Sequence, residues 1–123
     1  IYYYITHEKS MDKQILNRLN ISPLELTDFC QENHILQLSL FGSVLREDFT
    51  KTSDIDFLVV FNPQIKLSLM DLVGIQYKLE EKIGRKVDLI EKRSIENSHN
   101  WIRRKNILET AIIIYESGQI LSA

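Results

Sequence analysis

The chain has one cysteine, Cys30, no apolar run near the roughly 18 residues that span a bilayer, and no marked excess of either charge. A lone cysteine cannot close an intramolecular disulfide, and Cys30 falls in helical spacing with Leu26 and Phe29, so it reads as a buried structural thiol in a reducing compartment. No basic start followed by an apolar stretch opens the sequence, which together with the missing span points to a cytoplasmic protein without membrane contact. The formal charge of −2 withholds the basic field of a non-specific nucleic-acid binder, so direct nucleic-acid binding is not expected. Neither a Walker loop nor a dinucleotide fingerprint occurs. His7, His34 and His99 are too scattered to pair as metal ligands.

What is present suits one small domain. At 123 residues the chain can build a real core but not a catalytic domain plus a substrate domain, so a deep substrate pocket would have to be shared with a partner. Ile1 to Ser10 read as an upstream extension or a non-native segment ahead of Met11, and residues 11–123 as a single domain. Ile15, Leu16 and Leu19 mark a short helix, and Ser22-Pro23-Leu24-Glu25 supplies an N-cap, a first-turn proline and a capping-box glutamate for a second, ending near Asn33. Ile35 to Phe41 alternates as a strand with one apolar face, and Asp56 to Phe61 is apolar on both faces, as in a covered central strand. Ser68 to Asp71 resembles another capping box for a helix stopped by Gly84. Arg85 to Glu91 reads as a third strand, and Ile107, Leu108, Ala111, Ile112 and Tyr115 have the spacing of a last helix from about Asn100 to Glu116, closed by Gly118. The expected fold is a small α/β (α+β) domain with a mixed three-stranded sheet packed by helices.

The chemistry is concentrated around Gly42. A glycine directly after a strand can take backbone angles closed to other residues, and Ser43 adds a hydroxyl and an N–H, which suits a phosphate-cradling turn. If Val44 to Arg46 is helical, its N–H groups also face the anion and Arg46 adds a charge-assisted contact. Ten residues after Ser43 come Asp54 and Asp56, whose spacing puts both carboxylates on one face at the start of a buried strand. Their desolvation and mutual repulsion call for an oxygen-preferring divalent cation such as Mg²⁺. Asp88, between Val87 and Leu89, points away from its apolar neighbours and can join them around one or two metals and accept a proton from an attacking hydroxyl. Arg85-Lys86 and Arg103-Arg104-Lys105 read as solvated basic faces.

Leu40-Phe41-Gly42-Ser43 and Ser53-Asp54-Ile55-Asp56-Phe57-Leu58-Val59-Val60 resemble the polymerase-β-type nucleotidyltransferase superfamily, and the chain more narrowly resembles the minimal nucleotidyltransferase (MNT) antitoxins. The resemblance implies that Gly42 and Ser43 hold the triphosphate of ATP, that Asp54 and Asp56 bind catalytic Mg²⁺, and that Asp88 is the third acidic member. It further implies a HEPN-type toxin, a helical ribonuclease, as the partner in a hetero-oligomer, and transfer of AMP to a toxin tyrosine as the activity. Leu45-Arg46-Glu47 departs from relatives with a small residue before the arginine and a glycine after it. Two other functions remain open on sequence: an antitoxin acting by binding alone over a vestigial nucleotide site, and a nucleotidyltransferase acting on a small molecule such as an aminoglycoside.

Overall fold

The computed structural model describes residues 13–117, so the expected extension before Met11 and the expected stop at Gly118 lie outside the described residues. The elements run α1 (Lys13–Leu19), α2 (Pro23–Glu32), β1 (Ile35–Phe41), a 3-10 turn (Gly42–Leu45), β2 (Ile55–Phe61), α3 (Leu69–Ile83), β3 (Val87–Glu91), α4 (Lys92–Glu96), α5 (Trp101–Thr110) and β4 (Ile112–Glu116).

Both expected capping boxes form. Ser22 and Glu25 exchange side-chain-to-backbone hydrogen bonds at the start of α2, and Ser68 and Asp71 do so at α3. Gly84 takes φ +80° and ends α3 by donating its N–H to the Glu80 carbonyl at 2.7 Å, a left-handed stop that favours glycine.

The strands form one sheet in the order β3-β2-β1-β4, with β2 and β3 parallel and the other two pairings antiparallel. The sheet therefore has four strands among the described residues rather than the expected three. The fourth comes from the segment expected to complete the last helix. α5 stops at Thr110, Ala111 turns into extended backbone, and Ile112-Ile113-Ile114-Tyr115 pairs with β1. Three consecutive β-branched residues and a tyrosine are strongly strand-forming, and an open edge of β1 was there to receive them.

β3 is the opposite edge, and its outward N–H groups are covered from α3: Val87 donates to Glu80 Oε2 at 3.0 Å and Leu89 to Gln76 Oε1 at 3.1 Å. An edge satisfied this way offers little for another chain to pair with.

The sheet is packed on both faces, which is why β2 carries apolar residues at nearly every position. Ile55, Phe57 and Val59 enter the main core with Leu38 and Leu40 of β1, Val87 and Leu89 of β3, and Leu26, Phe29, Ile75 and Leu79 of α2 and α3. On the other face Leu58 and Phe41 pack with Ile95 of α4 and Ile107 of α5. Cys30 is fully buried in the main core, and burial pushes its thiol far above the ordinary range, so it behaves as a small apolar side chain. The native protein is accordingly expected to resist alkylation by iodoacetamide at pH 8 and to take up one equivalent only after denaturation, as read by intact mass. Among the described residues no helix is long and apolar enough to cross a membrane.

Candidate active site

The register of the sheet decides what meets at its Gly42 end. Asp56 pairs with Phe41 on one side and with Asp88 on the other. Residues opposite one another share a face, so the Asp56 and Asp88 carboxylates leave the sheet on the same side from strands about 4.8 Å apart. Asp54 stands two residues before Asp56, just ahead of β2. Asp54 and Asp88 are exposed, whereas Asp56 is half-buried.

Asp56 is the strained member. Burial is the main cause raising its pKa above the usual carboxylate value, and the negative charges of Asp88 and then Asp54 push it further the same way. Arg46 and Arg103 act in the opposite direction. Among the described residues no hydrogen bond or salt bridge engages any of the three carboxylates.

Gly42 closes the site from below. The chain leaves β1 at Phe41 and turns at once through Gly42 with φ +80°. A β-carbon at this position would run into Oδ2 of Asp56 and lie 3.3 Å from its Cγ. Glycine is thus required twice over, by the left-handed backbone and by the carboxylate packed against its α-carbon. The short helical stretch expected after it exists as a 3-10 turn, Gly42–Leu45, capped by no side chain. Ser43 lies on this turn, and its carbonyl accepts the Arg46 N–H at 2.9 Å.

Arg46 directly follows the turn, but its guanidinium is drawn aside to Asp48, with Nε 3.0 Å from Oδ1, in an exposed pair. Arg103, on the first turn of α5, is exposed, as expected of a solvated basic face, and its positive charge is the least of the influences on Asp56. Arg85 departs from the solvated reading: it is half-buried, and its guanidinium donates to the carbonyls of Thr50 and Ser53. Nothing in the local sequence marks this role, because its acceptors are backbone atoms. His34 and His99 are exposed outside the regular elements, and His7 lies outside the described residues.

Asp56 and Asp88 share one face and one end of the sheet, with Asp54 two residues ahead of Asp56, but among the described residues no group of three or more His, Cys, Asp or Glu is gathered closely enough to hold a metal ion. Asp54 and Asp88 are open to solvent, and a cavity of about 660 Å³ lies at the far end of the sheet, around Val60, Pro63 and Lys92.

A left-handed glycine turn abutting a strand carboxylate, with a second carboxylate in register on the neighbouring strand, is the layout of a small α+β domain that handles phosphate groups. The chain belongs to the nucleotidyltransferase domain family, whose model matches residues 25–114. It is 44% identical over 61 residues to a candidate protein adenylyltransferase of Methanocaldococcus jannaschii, a match covering 50% of this chain and 63% of that protein, so the chain spans under two thirds of this relative's length. A second candidate protein adenylyltransferase of the same organism is 40% identical over 80 residues, covering 65% of this chain and 76% of the relative.

Among solved structures, a candidate minimal nucleotidyltransferase is 28% identical with a TM-score of 0.58, covering 85% of this chain and 97% of that one. A toxin–antitoxin structure with AMP-PNP is 19% identical with a TM-score of 0.60, over 81% of this chain and 77% of that one. The complex of a tri-AMPylated Shewanella oneidensis HEPN toxin with its MNT antitoxin is also 19% identical, with a TM-score of 0.54 over 89% and 77%. These last two share the fold.

Proposed function

We propose that the protein transfers AMP from ATP to a tyrosine of a HEPN-type toxin and thereby neutralises it. The observation that carries this reading is the closure of the Gly42 turn on Asp56, which stands in register with Asp88. The names of the relatives agree with it: two are candidate protein adenylyltransferases, and structural neighbours include an MNT antitoxin bound to an AMPylated HEPN toxin.

Gly42 and Ser43 present backbone N–H groups and a hydroxyl to the triphosphate. Arg46, released from its exposed pair with Asp48, adds positive charge to the same phosphates, and releasing such a surface pair costs little. Asp54, Asp56 and Asp88 would supply oxygens to one or two Mg²⁺ ions, no more than two carboxylates to an ion and the rest of each shell water and phosphate oxygen; their donor chemistry fits, since none is engaged by a hydrogen bond or salt bridge among the described residues. When bound, the metal supplies positive charge against the charge developing on the transferring phosphate.

The acceptor tyrosyl oxygen bonds to the α-phosphorus, the bond to the bridging oxygen breaks, and pyrophosphate leaves. The tyrosyl proton passes to Asp88, an exposed carboxylate on the β3 edge. Because the site is an open face rather than a cavity, the acceptor protein provides the second wall and excludes water there. A bulky anionic AMP on the toxin then repels its RNA substrate.

Incubating the protein with its toxin, α-labelled ATP and Mg²⁺ is expected to label the toxin on tyrosine, and the double variant Asp54→Ala plus Asp56→Ala to leave it unlabelled. An unlabelled toxin with the wild-type protein, or full labelling with the double variant, overturns the proposal. If the double variant binds toxin and still protects cells, neutralisation is by binding alone.

A further inference from the structure

The ten residues joining Ser43 to Asp54 contain no regular element beyond the end of the 3-10 turn, yet they set the distance between the proposed phosphate turn and the carboxylates. This connection is held from two sides. From α1, Arg18 donates through Nη1 to the carbonyl of Val44 at 2.9 Å and to that of Arg46 at 2.6 Å. From two residues ahead of β3, Arg85 donates through Nη1 to the carbonyl of Ser53 at 2.8 Å and to that of Thr50 at 3.0 Å. Between them stands Phe49, with the Arg18 guanidinium carbon 5.0 Å and the Arg85 carbon 4.4 Å from its ring centre.

The two cations therefore both lie over one aromatic ring and, between them, secure both ends of the connection: the exit of the turn and the entry to Asp54. Neither arginine forms a salt bridge among the described residues. Their donors go to backbone carbonyls and their planes to the ring, a combination guanidinium can supply and ammonium cannot. The Arg85 end has a further link, because Ile55 donates its N–H to the carbonyl of Lys86 at 3.1 Å, so the same short stretch fixes both the start of β2 and the approach to Asp88.

We infer that Arg18, Phe49 and Arg85 form a positioning clamp that holds the Gly42-Ser43 turn at a fixed separation from Asp54, Asp56 and Asp88. None of the three touches the reacting groups. They act by keeping the phosphate-holding turn and the acidic cluster in alignment, where a small misplacement slows group transfer far more than it weakens binding. The inference rests on the nucleotide-transfer reading for its kinetic consequence, but its structural part is measurable without any activity.

Hydrogen–deuterium exchange and steady-state transfer, both measured well below the melting temperature of each variant, test the clamp. Phe49→Ala and Arg85→Lys are each expected to speed amide exchange across residues 46–55 while leaving the interiors of β1 and β2 protected. Each is expected to lower kcat by about tenfold to a hundredfold with little change in KM for ATP. Phe49→Tyr keeps the ring and is expected to restore both properties. Unchanged exchange across residues 46–55 in both variants overturns the clamp, as does retained kcat, or a Phe49→Tyr protein that behaves like Phe49→Ala. If Phe49→Ala does not fold, Arg85→Lys carries the same two readouts. If the wild-type protein transfers nothing, the functional reading fails while the exchange result still decides the clamp.

Discussion

Gly42→Ala is expected to lower the proposed AMP transfer by about a thousandfold, the scale seen when preorganised electrostatic stabilisation of a transition state is removed. The new β-carbon would occupy the space of Asp56 Oδ2. Asp56 cannot retreat along the sheet, because its backbone is registered against Phe41 and Asp88 at once. Relief must come from rotation of the carboxylate out of place or from opening of the turn, and either change separates the two halves of the site. The left-handed backbone at φ +80° adds a cost of about 1–2 kcal/mol for a residue with a β-carbon, so thermal stability should fall modestly while circular dichroism stays that of the wild type. Activity near the wild-type level would show that the close packing of Gly42 on Asp56 is not needed for transfer.

Asp56→Asn is expected to reduce transfer by a similar factor of about a thousand and, in the absence of metal and nucleotide, to raise the melting temperature at neutral pH. The sign follows from the environment of Asp56. Burial foremost, then the charges of Asp88 and Asp54, lift its pKa in the folded chain, so the folded state binds the proton more tightly than the unfolded state does. The stability this confers is fully present below the unfolded carboxylate value of about 3.9 and is lost as pH rises through the raised folded value. At pH 7 the wild-type protein therefore carries an ionised carboxylate in an unfavourable place, and asparagine does not. The advantage of Asp56→Asn should disappear in melts performed below about pH 4. Adding Mg²⁺ and ATP should reverse the order at pH 7, because only the wild-type carboxylate gains a cation. An Asn variant no more stable than wild type at pH 7 without ligands would show that charge repulsion at this position is already relieved within the chain.

The parts of the molecule legible in the sequence are those whose cause is local. The two capping boxes, the stop at Gly84 and the exposure of Asp88 between buried Val87 and Leu89 each depend on residues within a few positions of one another. The Gly42-Ser43 turn was readable because a strand led straight into glycine, although the reason only glycine fits there, the carboxylate of Asp56, is a contact across the sheet.

What was not legible depended on neighbours far along the chain. Ile112 and Tyr115 extend the helical spacing of Ile107 and Leu108, so periodicity alone favours one long helix. The Ile-Ile-Ile-Tyr run carried a strand signal of its own, but the edge of β1 that receives it lies about 70 residues earlier in the chain and leaves no mark on the segment. Arg85 looked like half of a basic surface pair, and its real acceptors, the carbonyls of Thr50 and Ser53, belong to residues more than 30 positions away and to atoms every residue possesses. Arg46 and Asp48 show the same limit at short range, since a surface ion pair between them is as compatible with the sequence as a phosphate contact.

The pairing of Phe41, Asp56 and Asp88 across three strands has one more consequence. Side chains alternate sides along a strand, so a slip of β2 by a single residue would turn Asp56 toward the main core and bring Phe57 out in its place. A misaligned molecule could not be a slightly worse catalyst; it would have a charge in its interior and a phenyl ring at its reactive end. The alignment that buries Phe57 in the core is thus the same one that brings Asp56 out beside Asp88, so packing and site assembly are selected together.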